Sequence, residues 1–591
     1  MKKYQILKRL SLVSASAFML TFACKDQFLE VAPTASLAQA QLSSRAGVEG
    51  ALIGTYAQLA GKGFSRLAAP NNWVWGSIRG GESNKGTDPG DYSNINVMQR
   101  YEVPAVDGDL NSTWQAKFEG IARANATINL ANGSKELSAS DKTRVVAEAR
   151  FLRGHFYFEL KKLFGSAPYV DETQDYGKGI EKVVATADLY PKIEADFKFA
   201  YDNLPETSSS AGRANKWAAG SYLGKAYLFQ GKFADARAIF TTVIANGKTT
   251  NGKKYGLVPR FAEIFNAEND NNEEAIFAVQ SAMNTGNVNN ANGFDDLNYP
   301  YNTGSDGPGN CCGFFQPSFS MANAYRVDAS GLPLLGEQAD GTPDYNLASN
   351  AVKHDYGVSS SSPFTEDADP LDPRIDHTIG RRGVQYLDWI EHPGANWIRA
   401  QPYAGPYSPK KHIYYKRQEN TLTDGSSWTR GYATMNFNII RFADVLLMAA
   451  EAEIEGGSLA TALGYINQVR ARAANPAGFV KNAKTGANEA NYVISTYTTL
   501  GDQANARRIV RMERLLELAT EGHRFFDLVR WNGTTPGIAS KTLNAYLKHE
   551  ARLLVTKFGG ASYTDTDALL PIPQAQIDIQ GTAVLKQNPG Y

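Results

Sequence analysis

Two stretches of this 591-residue chain combine aromatic rings with polar side chains of the kind that bind small molecules. They cover about residues 61–101 and 266–436 and are rich in Gly, Asn and Asp, which interrupt helices. A flat ring can stack on the apolar face of a sugar, and amide, carboxylate or ammonium groups can bond to its hydroxyls. These loops are therefore a candidate carbohydrate-binding face. Its candidate residues are Trp73, Trp75, Asn84, Lys85, Asp88, Tyr92, Tyr299, Tyr301, Phe315, Trp389, Trp397 and Tyr403.

The same rings have a second interpretation, in which each one only anchors its loop to the rest of the fold. Both interpretations require ordered loops, and the many Trp, Tyr and Phe residues favour order because disordered segments are poor in aromatic residues. Long ordered loops on a rigid scaffold are where binding sites usually lie. The sequence leaves open which rings bind a ligand and which anchor a loop.

A helical scaffold must position these loops, and its pattern is clear in several segments. Over residues 144–165, apolar residues recur at steps of three and four, as on one face of a helix, and Gly165 is placed to end it. A later helix is predicted over Ala506 to Glu521. Its charges, which include Glu513 and Glu517, have the spacing of ion pairs on a helix surface.

Residues 216–244 match the tetratricopeptide pattern of two packed helices. Gly224 and Ala236 would let the helices approach, while Tyr227 and Phe240 would fill the groove between them. A weaker copy of the pattern occupies residues 439–473. The expected fold is mostly α: a tetratricopeptide-like helix-pair scaffold over about 109–246 and 437–531, with long loops and short strands that form the ligand-binding face.

The N-terminus has the form of a signal peptide. Four basic residues precede the apolar run Leu10–Phe22, which is shorter than the ~20 residues of a membrane-spanning helix. Ala23 and Cys24 resemble a bacterial lipobox, in which the cysteine carries lipid, although Leu20 lies one position too early and Phe22 is bulky. The alternative is an ordinary secretory signal with a chance cysteine. The expected division is a signal peptide over 1–23, a lipidated tether over 24–41 and a single domain over 42–591.

The other two cysteines, Cys311 and Cys312, are neighbours. Lipid on Cys24 would explain the odd total of three, leaving these two as thiols or as a ring between neighbours. Free thiols are the expectation, because adjacent Cα atoms lie ~3.8 Å apart across a trans peptide, below the usual disulfide range. No His or second cysteine pair is spaced for a metal site, and no calcium-loop motif accompanies the Asp/Asn-rich loops.

The composition argues against two large classes of protein. Lys+Arg and Asp+Glu both total 60, and loss of the signal peptide would remove four basic residues and no acidic one. A slightly acidic chain has no basic face for nucleic acid. No nucleophile-elbow, zinc-protease, phosphate-loop or dinucleotide motif is present. A glycosidase needs only two carboxylates and stays possible on composition, but the expectation is a binding protein without enzymatic activity and without a cofactor.

Five segments, in order along the chain, resemble the SusD/RagB family of nutrient-capturing surface lipoproteins of Bacteroidota. They are "ACKDQFLEVAPTA", "AEARFLRGHFYFELKKLFGSAPYV", "RFADVLLMAAEA", "RRIVRMERLLELATEGHRFFDLVRW" and "LLPIPQAQIDIQGTAVLKQNPGY". Together they span essentially the whole chain after the signal peptide. Residues 75–91 and 372–411 further resemble a subgroup of that family.

The resemblance implies a location, a partner and a ligand. The protein would be anchored by lipid to the outer membrane, exposed at the cell surface, and would pass its ligand to a TonB-dependent transporter of the SusC type. The ligand would be an oligosaccharide, or a peptide as in some members. Because loop aromatics shape the binding arc in the family, Trp73, Trp75 and Tyr299 are the leading candidates for ligand contact.

Overall fold

The structure, a computed structural model, describes residues 39–591 except 62, 288–289, 294, 310, 339–340, 427–429 and 431. The predicted signal peptide, Cys24 and most of the predicted tether lie outside these residues, and the division into tether and domain stays a prediction. Within the described chain, no helix combines the length and the apolar character needed to cross a bilayer.

The α-helices fall in two groups separated by the second loop-rich stretch. The first group is α1 (Gln39–Leu42), α2 (Arg45–Ala57), α3 (Asn94–Gln99), α4 (Gly108–Gly133), α5 (Ala139–Phe164), α6 (Tyr190–Asn203), α7 (Lys216–Phe229) and α8 (Phe233–Asn246). Three short helices lie in the loop-rich stretch: α9 (Phe319–Ala324), α10 (Ile375–Thr378) and α11 (Gln401–Ala404). The second group is α12 (Phe442–Gly456), α13 (Leu459–Ala473), α14 (Gln503–Leu518), α15 (Arg524–Trp531), α16 (Ile538–Leu553), α17 (Val555–Phe558) and α18 (Gln574–Gln580).

Helices α4 to α8 pack in sequence order, each against the next, and α8 packs against α12, which in turn packs against α13 and α14. A single stack of helices therefore continues across the long loop-rich interval. The predicted α-rich, helix-pair scaffold is confirmed.

The local reasons for this scaffold are those that the pattern indicated. Ser138 caps α5 by accepting a hydrogen bond from the backbone N–H of Asp141 at 3.1 Å, and Gly165 ends the helix at φ 72°. In the tetratricopeptide-like pair α7–α8, a Cβ on Gly224 would lie 2.5 Å from the Phe240 ring, so glycine is needed for the close approach. The apolar face of each helix is thereby buried against its neighbour.

Strands are short and form two-stranded antiparallel ribbons in the described chain. Strand β1 (Ser83–Gly86) pairs with β5 (Phe314–Pro317). This ribbon joins the two loop-rich stretches, since Ser83 pairs with Pro317 and Gly86 with Phe314. Strand β4 (Ala275–Val279) pairs with β10 (Phe437–Arg441) and joins the two ends of the second stretch next to α12. The strands are β1 (Ser83–Gly86), β2 (Ala167–Pro168), β3 (Ala185–Thr186), β4 (Ala275–Val279), β5 (Phe314–Pro317), β6 (Ile379–Gly380), β7 (Ser408–Pro409), β8 (Thr423–Asp424), β9 (Tyr432–Ala433) and β10 (Phe437–Arg441).

The loop-rich stretch has a hydrophobic core of its own. Besides the main core of the helices, a separate group of buried side chains lies among the loops. We call it the loop core. Its members are Val258, Phe261, Ile264, Phe265, Tyr299, Tyr386, Trp389, Trp397, Ile413, Tyr414, Ala433 and Met435. Segments with so little regular structure need such a core, because few backbone hydrogen bonds of helices or sheets hold them together.

The acidic residues of α14 lie inside the protein, not on its surface. Glu513 and Glu517 are fully buried, so the predicted helix-surface ion pairs are wrong for these residues. They belong to a connected group of five cations and five anions whose side chains are at most 3% exposed. We call it the buried charge cluster, and its members are Lys411, Arg374, Arg441, Arg470, Arg472, Asp372, Glu274, Glu513, Glu517 and Glu521. Helical spacing correctly placed Glu513 and Glu517 on one face of α14, but it could not show that other segments of the chain cover that face.

Candidate functional site

Three loops meet beside ribbon β1–β5. The backbone N–H of Thr87, just after β1, donates to the carbonyl of Gly313 at 2.6 Å. The backbone N–H of Tyr301 donates to the carbonyl of Trp397 at 3.0 Å. The segments around residues 85–92, 299–313 and 397–403 are therefore held together by their backbones.

Arg399 connects the side chains at this junction. Its guanidinium pairs with the carboxylates of Asp88 at 2.8 Å and Asp91 at 2.5 Å, and lies 5.3 Å from the centroid of the Tyr301 ring. The side chains of Arg399, Asp88 and Asp91 are about one third exposed, at 31%, 29% and 34%, and Tyr301 is half-buried. We call these four residues the Tyr301–Arg399 patch.

Gly313 lies against the patch. A Cβ at this position would lie 3.4 Å from Cβ of Tyr301 and 4.0 Å from Cβ of Arg399, and the backbone has φ 74°, which favours glycine. The backbone of Gly313 therefore comes close to both residues.

Lys85 and Asn84 lie buried beside the patch and bond to backbone carbonyls of the protein. The fully buried ammonium of Lys85 donates to the carbonyls of Asp88 at 2.7 Å and Asp91 at 2.6 Å. Burial lowers the pKa of Lys85 to about 8, while the nearby carboxylates of Asp91 and Asp88 oppose that shift. Asn84 is buried and donates to the carbonyl of Ala404 at 3.1 Å. The expectation that Lys85 and Asn84 reach a ligand is corrected, because their polar groups are used within the protein.

The two leading tryptophans are also buried. Trp73 and Trp75 are each 1% exposed, and their indole N–H groups donate to the carbonyls of Arg66 at 3.3 Å and Leu67 at 2.8 Å. They lie on a π-helix, Trp73–Ile78, that packs so closely on the backbone of Gly522 that a Cβ on Gly76 would collide with it. These rings fill the main core, and their assignment as ligand contacts is wrong.

Three further aromatic candidates belong to the loop core. Tyr299, Trp389 and Trp397 are 1%, 6% and 3% exposed. The Tyr299 ring packs edge-on against Tyr414 at 5.6 Å, and the Trp389 N–H donates to the carbonyl of Tyr414 at 3.2 Å. They are structural because the loop core encloses them.

The remaining candidates divide between support and surface. Phe315 and Tyr403 are buried, and the Tyr403 hydroxyl donates to the Asn96 side chain at 2.6 Å, so both are corrected to structural roles. Tyr92 is half-buried, with its hydroxyl 2.8 Å from a carboxylate oxygen of Asp109. Of the predicted residues, Asp88 and Tyr301 lie together in the patch, and Tyr92 lies next to Phe314 at the edge of ribbon β1–β5.

Cys311 and Cys312, beside this patch, form a disulfide with each other. The expectation of free thiols is therefore wrong. It assumed a trans peptide between the two residues, whereas their peptide bond is cis and their Cα atoms lie 3.0 Å apart. Cys311 is half-buried and Cys312 is buried against the loops.

The pKa of the Asp88 carboxyl is shifted away from that of a general acid. Burial acts to raise the pKa of Asp88, but hydrogen bonds from the backbone N–H groups of Asp91 and Gly90 and the charge of Arg399 outweigh it and lower the pKa. A glycosidase acid needs the opposite shift. Among the described residues, no three His, Cys, Asp or Glu side chains are grouped as a metal site would require.

Residues 273–591 of the chain match the model of the SusD family, and residues 27–228 match a second one described as "Starch-binding associating with outer membrane". The first match covers more than half of the chain. The chain belongs to the SusD family. The prediction of a non-catalytic protein is confirmed at the level of this family.

A curated relative, SusD-like protein P2 of Formosa agariphila, is 24% identical over 619 aligned positions that cover all of both chains. A solved structure of a laminarin-binding SusD-like protein superimposes with a TM-score of 0.64 at 22% identity, covering 93% of this chain and all of that one. Surface glycan-binding protein A from Bacteroides thetaiotaomicron, in complex with laminarihexaose, gives a TM-score of 0.63 at 18% identity, covering 92% and 99%. At these identities the two structures establish the SusD fold.

Asp91 and Thr87 were missed as site residues. Asp91 shares Arg399 with Asp88 and accepts a hydrogen bond from the Thr87 hydroxyl at 3.0 Å. The spacing "TDPGD" contains a usable signal, because Pro89 and Gly90 form a turn that brings the two carboxylates to the same cation. The cation itself comes from more than 300 residues away, and local spacing cannot show it.

Proposed function

We propose that this SusD-family protein captures oligosaccharides at the Tyr301–Arg399 patch and passes them to a TonB-dependent transporter of the SusC type. In this proposal, lipid on Cys24 holds the protein at the outer surface of the outer membrane. The observation that carries the binding part is the convergence of three loops on one half-exposed ring beside a guanidinium and two carboxylates. The anchor and the partner are supported by the lipobox-like sequence and by the family's association with the outer membrane.

The patch offers the two kinds of contact that a sugar needs. The Tyr301 ring can stack on the apolar face of a pyranose, and Arg399, Asp88 and Asp91 can exchange hydrogen bonds with its hydroxyls. The patch is small, so one stack and a few charge-assisted bonds give a dissociation constant in the micromolar to millimolar range. Such an affinity suits a protein that must release its ligand to a transporter held nearby.

The binding part is tested by calorimetry with laminarin, laminarihexaose, starch oligosaccharides and a peptide panel. Tyr301→Ala should weaken oligosaccharide binding roughly ten- to fifty-fold, since it removes both the stack and its buried apolar area. Tyr176→Ala is the matched control, because Tyr176 is 45% exposed in the loop after α5, away from the patch residues. Its affinity should equal that of the unchanged protein.

Three results would contradict the binding proposal. Equal affinity of Tyr301→Ala and the unchanged protein would place the site elsewhere. Binding of peptides alone would make oligosaccharides the wrong ligand class. Release of reducing ends from a polysaccharide by the pure protein would make it an enzyme.

The anchor and the partner have separate tests. Cells that express the protein should incorporate labelled palmitate into it, and Cys24→Ala should abolish the label and release the protein from membranes; label that persists in this variant would refute the anchor. Crosslinking in intact cells should join the protein to a TonB-dependent transporter. Crosslinks that never include such a transporter would refute delivery.

A further inference from the structure

A cavity of about 370 Å³ lies between α14, α15, the start of α16 and the loop residues 335–337 and 341–345. None of the residues that line it belongs to the Tyr301–Arg399 patch. Its walls are largely apolar, with contributions from Leu335, Pro343, Tyr345, Met512 and Leu528. The volume is within the range of sites for small molecules.

Four arginines line this cavity: Arg507, Arg508, Arg511 and Arg524. Among the described residues that line the cavity, Glu337 is the only acidic one, and it pairs with Arg508 at 2.7 Å. Arg507 pairs with Glu455 at 2.6 Å. Two arginines are thus neutralised by nearby acids, and two others remain to be explained.

Arg511 has no acidic partner within the described part of the chain. One of its terminal nitrogens donates to the hydroxyls of Thr534 at 3.1 Å and Thr535 at 2.9 Å. Burial lowers the pKa of Arg511 to about 10, and the charges of Glu451 and Glu455 oppose that shift without reversing it. Its guanidinium lies 5.1 Å from the centroid of the Trp531 ring, a contact that compensates part of this cost.

Arg524 is buried more deeply, at 5% exposure, and its Nη1 has no hydrogen-bond partner among the described residues. The hydroxyl of Thr542, which also lines the cavity, is likewise buried and without a partner there. Asp527, three residues after Arg524 on the same helix, pairs with Arg514 and Arg530, each at 2.8 Å.

A buried cation that has neither an anion nor a full set of hydrogen bonds is costly, and proteins retain one where a ligand supplies what is missing. Arg511 and Arg524, which form no salt bridge with the described residues, both border one apolar cavity here. We propose that this cavity binds the carboxylate of a small organic acid, with Arg511 and Arg524 as the anion-binding residues and the apolar walls around the body of the ligand. An inorganic anion would leave those walls without a partner.

The carboxylate could belong to an acidic sugar or to an apolar acid, and the choice of probes separates the two. D-glucuronate and benzoate are titrated into the purified protein by calorimetry, with D-glucose as the uncharged counterpart of the first. Arg511→Gln and Arg524→Gln should each weaken binding of the acid at least about tenfold, because each removes a charge-assisted hydrogen bond from a dry site. Arg552→Gln is the matched control, since Arg552 is exposed on α16 and does not line the cavity.

A further variant covers the possibility that an arginine variant fails to fold. Ala504 is exposed but lines the cavity, so Ala504→Phe should obstruct it without removing any buried group. Binding of glucuronate or benzoate that is lost in Ala504→Phe and in either arginine variant, and kept in Arg552→Gln, supports the proposal; the acid that binds identifies the ligand class.

No saturable binding of either acid, or binding that Arg511→Gln, Arg524→Gln and Ala504→Phe leave unchanged, overturns the proposal. Equal affinity for D-glucose and D-glucuronate also overturns it, since the carboxylate would then contribute nothing. Oligosaccharide binding at the Tyr301–Arg399 patch should be the same in all these variants, so that failure of one site does not imply failure of the other.

Discussion

The buried charge cluster should be the part of the protein most sensitive to loss of a single charge. Glu517 lies at its centre: its carboxylate contacts Arg441 at 2.7 Å and Arg374 at 3.2 Å, and also pairs with Arg472. The positive charges of these arginines hold the pKa of Glu517 well below its usual range, although burial acts to raise it. Glu517→Gln keeps the shape of the side chain and removes one of the five negative charges.

The magnitude follows from the balance of the cluster. With five cations and five anions it is neutral, and Glu517→Gln leaves one buried positive charge without compensation. Removal of one partner from a buried ion pair typically costs about 3–5 kcal/mol of unfolding free energy. In urea, with a slope of roughly 3 kcal/mol per M for a large chain, that cost lowers the midpoint of unfolding by roughly 1–1.7 M.

The assay is urea unfolding followed by both circular dichroism and tryptophan fluorescence, whose agreement tests two-state behaviour. Glu119→Gln is the matched control, since Glu119 pairs with Arg123 at 2.7 Å while both side chains are about 40% exposed. Loss of this exposed pair should cost less than about 1 kcal/mol. The double variant Glu517→Gln/Arg472→Gln restores neutrality, so its cost should be smaller than the sum of the two single costs by about 1–3 kcal/mol.

Equal midpoints for Glu517→Gln and Glu119→Gln would refute this reasoning. So would strict additivity in the double variant, since it would mean that Glu517 and Arg472 do not interact. Either result would show that the cluster is hydrated or rearranged in solution and is not a closed, dry network.

Two other substitutions separate structural from binding roles. Trp73→Ala should lower the unfolding free energy by roughly 3–5 kcal/mol, measured in urea, because the ring is buried. The fraction of this variant that remains folded should bind oligosaccharides with unchanged affinity. Lost affinity without lost stability would show that Trp73 contacts the ligand. Burial raises the pKa of Glu82 from 4.5 to about 8, against a hydrogen bond from Ser77, so the folded protein keeps this proton and loses stability as the pH rises from about 4.5 through 8. Glu82→Gln should remove that loss. Relative to the unchanged protein, the unfolding free energy of this variant should be about 1–3 kcal/mol more favourable at pH 9 than at pH 5, as measured by urea unfolding at both pH values. A difference between variant and unchanged protein that is the same at both pH values would contradict the raised pKa.

The helical scaffold was predictable because its signals are local. Apolar residues at steps of three and four, the Gly165 stop and the small residue Gly224 each act within one or two helices. The order in which the helices pack was partly accessible, since neighbours in sequence are neighbours in the stack. The contact of α8 with α12 was not, because the two helices are separated by the whole loop-rich stretch.

The candidate site was predictable only in part, because burial of a loop residue depends on segments far away in sequence. Trp73 and Trp75 have the composition of a sugar site, but Gly522, more than 400 residues later, lets the backbones come close enough to enclose them. Two glycines beside the rings, at positions 76 and 80, were the available signal for such a close approach. Aromatic composition identified the stretches that contain the candidate site, but it did not separate the rings that are buried in the fold from those at the candidate site.

In the proposed function, the loop core is what allows a small patch to act as a binding site. The backbone N–H of Tyr301 donates a hydrogen bond to the carbonyl of Trp397, which is buried in that core. Arg399 follows Trp397 by two residues. The ion pairs of Arg399 with Asp88 and Asp91 then fix the loop after β1, whose carbonyls Lys85 already holds. Since ordering a loop on binding would cost about 0.5–1.5 kcal/mol for each immobilised side chain, anchoring these residues in advance leaves more of the weak sugar contacts to appear as affinity. Under this proposal the many buried rings contribute to recognition indirectly, by keeping a few exposed groups in place.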